Sequence, residues 1–330
     1  MTRTAAVAYR HPGPPEVLED VEIDVPDPRA HDLLVEIHAV SVNPADVKSR
    51  AGSDPGGEPK VLGYDASGVV AAIGEDVSLF EVGDEVFYAG SIDRQGTYAG
   101  LHIVDERIAG RKPKSLDFAD AAAMPLTSIT AWEVLFDRLA LTSESAGALL
   151  VVAAAGGVGS MISQFARKLT KLTVFGTAAR GESEQWALRM GVHGIVDRHD
   201  LVAHLQRLAP SGVDYIFSPF SSSNVEAYAE VLRPRGQIVA IDEPDDVDLL
   251  ALKPKSLTWH WEFMFTRPLY EPESTYQHEL LDRVALLVDA GEIVATRTRT
   301  LQGITAATLQ EAHREVEESA SIGKLVVAAS

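Results

Sequence analysis

The tightest constraint in this sequence lies near its middle. An apolar run over 148–155 meets Gly156-Gly157-Val158-Gly159, and an amphipathic segment over 160–169 follows. The run shows no polar alternation, so it reads as a strand buried on both faces. In the segment after it, Met161, Ile162, Phe165, Ala166 and Leu169 recur at helical spacing and share one face. Strand, glycine turn and helix in that order are the context in which a turn receives a dinucleotide. Gly156 would let the backbone approach a pyrophosphate, Gly157 and Val158 would complete the cradle, and Gly159 would let helix and strand pack closely. The helix start supplies unpaired N–H groups and positive potential. The first glycine of the usual G-x-G-x-x-G is Ala154 here. The plainer alternative is a tight turn with a structural task only.

The end of the next apolar run decides which dinucleotide fits. An NAD site places an Asp or Glu there to hold the ribose 2′-hydroxyl. Here 173–180 reads Thr-Val-Phe-Gly-Thr-Ala-Ala-Arg, without an acid. Arg180 carries a planar donor fork suited to a 2′-phosphate, so NADPH (NADP) is expected, with an ordinary solvated arginine as the alternative.

On both sides of this unit the texture differs. Over 5–9, 17–25, 33–42, 67–73, 83–88 and 97–104 short strands are separated by turns, and Val35 and Ile37 alternate with Glu36 and His38. From about 118 helices appear, with candidates through 123 and over 125–139. Apolar runs at 172–178, 194–197, 213–218 and 237–241 then alternate with helical segments, as in a parallel sheet covered on both faces. The tail carries a helix over 277–290 and a closing strand at 324–327. A chain of 330 residues is about twice a typical domain, which agrees with two domains.

Charge and composition exclude several classes. With 48 acidic against 29 basic residues the formal charge is −19, which disfavours nucleic acid and anionic membrane partners. Cysteine is absent, so thiolate nucleophiles, iron–sulfur clusters and cysteine-ligated zinc are excluded. The ten histidines show no ligand spacing, and His193, His199 and His204 read as surface imidazoles. No apolar stretch reaches membrane-spanning length and no signal-peptide pattern opens the chain, so a cytoplasmic location is expected.

With these readings in place, the sequence resembles the medium-chain dehydrogenase/reductase superfamily, and within it the zinc-free quinone oxidoreductase branch. The resemblance rests on Gly63-Tyr64-Asp65-Ala66-Ser67-Gly68 followed by Gly74 and Val77, which keeps the spacing of the zinc alcohol dehydrogenase motif with Tyr64 in place of its histidine. It rests also on Asn43-Pro44-Ala45-Asp46, Gly83-Asp84-Glu85-Val86, the segment 125–132, the turn at 154–159 and Gly323-Lys324-Leu325-Val326. The resemblance implies an α/β chain with a GroES-like β domain and a Rossmann domain of doubly wound parallel sheet. The corresponding boundaries are 1–124 for the GroES-like part, 125–266 for the Rossmann domain and 267–330 for the return. It implies a homodimer, and it implies no zinc, since Asn43 and Tyr64 replace the cysteine and histidine ligands.

By the same resemblance Asn43, Asp46, Tyr64 and Thr127 surround the nicotinamide and are the catalytic candidates, Asn43 and Thr127 also touching the cofactor. Hydride addition to a conjugated system needs only hydrogen-bond donors and a proton source for the developing oxyanion. The expected activity is therefore NADPH-dependent reduction of quinones or α,β-unsaturated carbonyls, a small-molecule substrate handled without metal. The alternatives are a broader carbonyl or alkenal reductase, or a non-catalytic, crystallin-like NADPH-binding protein. Each candidate also has a simpler reading. Asn43-Pro44 is a good N-cap and first-turn pair, Tyr64 could pack against its turn, Thr127 could start a helix, and Asp46 could cap one. The aromatic run 259–265 reads as a core or dimer-edge strand or as pocket lining, and 52–60 as a lid or a plain loop.

Overall fold

The computed structural model describes residues 2–179, 181–244, 246–318 and 322–329. The chain divides into two compact units, one made of Met1–Ile129 and Phe265–Ser330, the other of Thr130–Met264. The first unit opens with β1 (Thr2–Tyr9), β2 (Glu19–Val25), β3 (Asp32–Ser41), α1 (Pro44–Gly52), β4 (Lys60–Val61) and β5 (Asp65–Ile73). It continues with β6 (Glu85–Tyr88), β7 (Leu101–Asp105), β8 (Ala109–Arg111) and α2 (Phe118–Ala122), and α3 (Pro125–Trp132) follows.

The second unit alternates strand and helix: β9 (Ala146–Val151), α4 (Gly157–Leu169), β10 (Lys171–Thr177), α5 (Gly181–Arg189), β11 (Gly194–Val196) and α6 (Leu201–Leu208). Then come β12 (Val213–Ser218), α7 (Val225–Val231), β13 (Leu232–Ala240) and β14 (Thr258–Trp261). The tail returns to the first unit through α8 (Thr266–Tyr270), α9 (Tyr276–Asp289), β15 (Arg297–Gln302), α10 (Ala306–Glu317) and β16 (Lys324–Ala328).

In the first unit β2-β1-β4 form a small sheet, and β15-β16-β3-β5-β6-β8 form a larger one with β7 also paired to β3. The last strand closes back onto the N-terminal half, with Val326 opposite Ser41 in antiparallel register. The period-two pattern of β3 is obeyed, Val35 and Ile37 facing the core and Glu36 facing outward. The second unit holds a six-stranded sheet ordered β11-β10-β9-β12-β13-β14, with every neighbouring pair parallel. Leu149, Leu150 and Val151 of β9 are fully enclosed, because helices cover both sheet faces. The order reverses between β9 and β12, and the crevice beyond the strand ends at such a reversal is where open α/β sheets bind ligands.

Three elements depart from the sequence reading. The helix expected over 125–139 is α3 followed by a π-helical turn over Glu133–Arg138, in which the Leu139 N–H reaches Val134 O. The strand reading of the aromatic run, by contrast, is met by the short edge strand β14, with Trp261 exposed. The sheet-edge strand β15, which alternates arginine and threonine, and the helix α10, which packs Ala306, Leu309 and Ala312 into the core between charged neighbours, lack a distinctive apolar pattern in the sequence. Among the described residues no helix is long and apolar enough to cross a membrane.

Candidate functional site

The glycine turn is built almost wholly from backbone. After β9 the chain turns at Ala153, whose φ of +56° is left-handed. Its N–H donates to Thr177 Oγ1 at 2.9 Å and the Ala154 N–H donates to Thr177 O at 3.0 Å, which ties the turn to the end of β10. Gly156 is the N-cap of α4 in extended conformation. A Cβ on Gly159 would stand 2.4 Å from Ala153 O and 2.8 Å from Ala154 Cα, so only glycine permits this approach of helix to strand. A Cβ on Gly156 would meet only Ala153 O, at 3.4 Å, which leaves that side open. Gly156, Gly157 and Val158 are partly exposed, whereas Met161, Ile162, Phe165 and Ala166 behind them are buried. A helix start whose first N–H groups lack intrahelical partners, next to a glycine without steric cover, suits a pyrophosphate. Arg180 lies outside the described residues.

The other candidates are side chains, and they converge in the first unit. Asn43 caps α1 with Pro44 in the first turn, and the Asp46 carboxylate takes the Asn43 backbone N–H at 2.7 Å. The Asn43 side chain also bonds outside α1. Its Nδ2 donates to Asp65 Oδ2 at 2.9 Å, and its Oδ1 accepts from Lys324 Nζ at 2.5 Å. Asp65 also accepts from Ser41 Oγ at 2.6 Å and, on its other oxygen, from the Leu126 N–H at 2.7 Å. Lys324 Nζ bonds Val42 O at 3.0 Å and lies 3.4 Å from Asp65 Oδ2. All of these side chains are buried.

Asp46 Oδ1 is enclosed without a hydrogen-bond partner. Burial raises its carboxyl to about 7; the Asn43 N–H and Lys324 oppose the rise, and Asp65 reinforces it. Tyr64, which directly precedes Asp65, is 7% exposed; its hydroxyl shares a 3.0 Å hydrogen bond with Ser49 Oγ, and its ring tilts against Phe265 at 4.8 Å. Burial, reinforced by Asp46, pushes its phenol up to about 12, so it is a neutral donor at working pH. Thr127 is buried in α3 and its hydroxyl donates to Met124 O at 3.1 Å. The structure thus gathers Asn43 and Asp46 in one bonded network and ties in the backbone beside Tyr64 and Thr127. Asp65 and Lys324, which hold this network, stood in the sequence only as members of motif segments. The available signal was a charge opening each of two largely apolar strands.

These residues do not fit a zinc ion. An amide and a high-pKa phenol are weak ligands, both Asp65 oxygens are already engaged, and the Lys324 ammonium would repel a second cation. Among the described residues no group of three or more His, Asp or Glu is placed to hold a metal.

One unit with a strand–glycine–helix turn on a doubly wound parallel sheet, and a second β unit made from both chain ends, define an alcohol dehydrogenase-like oxidoreductase. Comparison with known proteins agrees. Residues 29–114 match the alcohol dehydrogenase GroES-like domain and residues 190–327 match the zinc-binding dehydrogenase family. A zinc-type alcohol dehydrogenase-like protein of Staphylococcus aureus is 39% identical over 310 residues, 92% of each chain. A crystal structure of a protein from Rhizobium etli CFN 42 superposes with a TM-score of 0.95 at 44% identity, covering 99% of this chain and 98% of that one. The Escherichia coli quinone oxidoreductase complexed with NADPH gives a TM-score of 0.86 at 25% identity, covering 98% and 99%. The chain belongs to the medium-chain dehydrogenase/reductase superfamily and is an oxidoreductase of that type.

Proposed function

We propose that this chain uses NADPH to reduce quinones or α,β-unsaturated carbonyl compounds by direct hydride transfer, with no metal taking part. The observation that carries the reading is the buried Tyr64 phenol, neutral and in a cluster unsuited to a Lewis-acidic metal. Oxidation of a simple alcohol needs its alkoxide stabilised, which this cluster does not do; a conjugated acceptor needs only donors and a proton. The turn at 156–159 would hold the pyrophosphate through the α4 N–H groups, and Gly159 keeps the helix near enough to present them. When bound, the nicotinamide supplies a hydride, carrying two electrons to the acceptor carbon or quinone oxygen. Tyr64 then gives its hydroxyl proton to the oxygen that gains charge and regains one from solvent through Ser49, which is only half-buried. The likeness to an NADPH-bound quinone oxidoreductase supports the cofactor and the acceptor class. Arg180 is the proposed partner of the 2′-phosphate.

A fluorescence titration with NADPH and NADH side by side tests the reading. Tighter NADPH binding that falls to parity in Arg180→Ala supports it. Equal affinity in the parent rejects the choice of NADPH, and binding of neither rejects the cofactor site.

A further inference from the structure

Lys324 opens β16 with its ammonium fully enclosed, a place where a charge is retained only when it is paired and hydrogen-bonded. Burial lowers its pKa while Asp65 and Asp46 hold it up. Stability alone does not explain the pair, because apolar side chains of similar volume often replace a buried ion pair without loss. What apolar side chains cannot do is fix the direction of an amide. An ammonium only donates and an ionised carboxylate only accepts. With Lys324 Nζ on one side of Asn43 and Asp65 Oδ2 on the other, Oδ1 must face the lysine and Nδ2 must face the aspartate. The flipped amide would set donor against donor and acceptor against acceptor. One Nδ2 hydrogen serves Asp65, and the other takes no partner among the described residues.

We infer that Lys324 is a positioning residue that locks the Asn43 amide, so that its second N–H is held for the substrate oxygen that gains charge during reduction. Asp65 completes the lock. Its Oδ2 takes the Ser41 hydroxyl and its Oδ1 takes the Leu126 N–H, so one carboxylate joins the end of β3, the start of β5 and the first turn of α3. The inference rests on the proposed reductase activity for its substrate, but the lock itself is a property of the resting protein.

Lys324→Met alone strands a buried carboxylate, so the decisive variant is the double Asp65→Asn/Lys324→Met, which removes both charges at nearly constant shape. The first readout is the Asn43 side-chain amide pair in nitrogen-correlated spectra of the unliganded protein. The parent should show two well-separated hydrogens, and the folded double variant should show them converging. The second is steady-state kinetics with an enone: kcat should fall on the order of 100-fold, as for loss of an oriented oxyanion donor, with NADPH affinity within about twofold and little change in KM. Amide signals unchanged from the parent overturn the lock, and altered signals with undiminished kcat overturn its role in the reaction. A parent that turns over no quinone or enone rejects the proposed function instead, while the amide readout still decides the lock.

Discussion

The glycine turn and the buried polar cluster hold polar groups in opposite ways. At 156–159 the groups offered to a ligand belong to the backbone, and the sequence contributes mainly by leaving side chains out, as the 2.4 Å clearance at Gly159 shows. In the cluster the groups are mostly side chains: the Asp65 carboxylate of β5 and the Lys324 ammonium of β16, with the Ser41 hydroxyl of β3 and the Asn43 amide that caps α1, joined by the Leu126 N–H of α3, at 2.5–3.4 Å. The first arrangement is local and tolerates any sequence with glycines in the right places. The second depends on long-range assembly, because no member can stay charged if its partner is removed. The cluster should therefore be much the more fragile under substitution.

The largest test of this contrast is Lys324→Met, which leaves Asp65 uncompensated and should cost roughly 3–5 kcal/mol of stability in denaturant titration. The double variant with Asp65→Asn should recover most of that loss. Full stability in the single variant would mean that the cluster is less closed than its bonds indicate.

Asp46 gives a related effect through pH. Its native pKa near 7 lies above the ordinary carboxylate value of 3.8, because it is buried beside Asp65, Tyr64 and Tyr98, with only Lys324 and the N–H groups of Asn43 and Gly63 opposing. Folding therefore favours the protonated acid. Its stabilising effect is complete below about pH 4 and is lost as pH rises through about 7, a span of roughly 4 kcal/mol at 1.36 kcal/mol per unit. Asp46→Asn should flatten that part of the stability profile, and an identical slope in the variant would show that Asp46 ionises normally.

Next in size is Tyr64→Phe. Losing the Ser49 hydrogen bond should cost about 1 kcal/mol of stability, whereas turnover should fall roughly 100-fold if the phenol is the proton donor. Equal kcat in the variant would remove it from that role.

The turn comes last, because its decisive readout is cofactor affinity and not stability. Gly159→Ala forces a methyl onto Ala153 O, and the helix must shift at a cost of about 1–3 kcal/mol while NADPH affinity drops. Unchanged cofactor affinity would show that the turn is structural only.

The same contrast explains what was readable beforehand. The turn and the parallel sheet were visible because their signals are contiguous: an apolar strand, glycines and a periodic helix within about 22 residues of each other. The closing strand of the tail was readable, whereas its return to the first unit was implied only by the family resemblance; β16 does pair with β3. The cluster was only half visible. Asn43, Asp46 and Tyr64 lie close together in sequence, but Lys324 is 281 positions from Asn43. A lysine at the head of a strand reads as solvated unless its partners are known. Likewise His313 sits in α10 among Arg314, Glu315 and Glu317, a segment that reads as surface, yet it is fully buried between Arg50 and Tyr98. Its imidazole is pushed down to about 3, first by burial and then by Arg50, so it stays neutral.

Everything proposed for the site turns on direct hydride transfer from NADPH to a conjugated acceptor, with the proton supplied through Tyr64. The most direct measurement is to give the protein NADPH deuterated at its transferable position, together with an enone, and to locate the label in the product. Deuterium is expected on the β-carbon and a solvent-derived hydrogen on the α-carbon, once the enol formed by protonation relaxes to the ketone. Reduction with no deuterium on the β-carbon, or tight NADPH binding with no reduction of any enone or quinone, would contradict it.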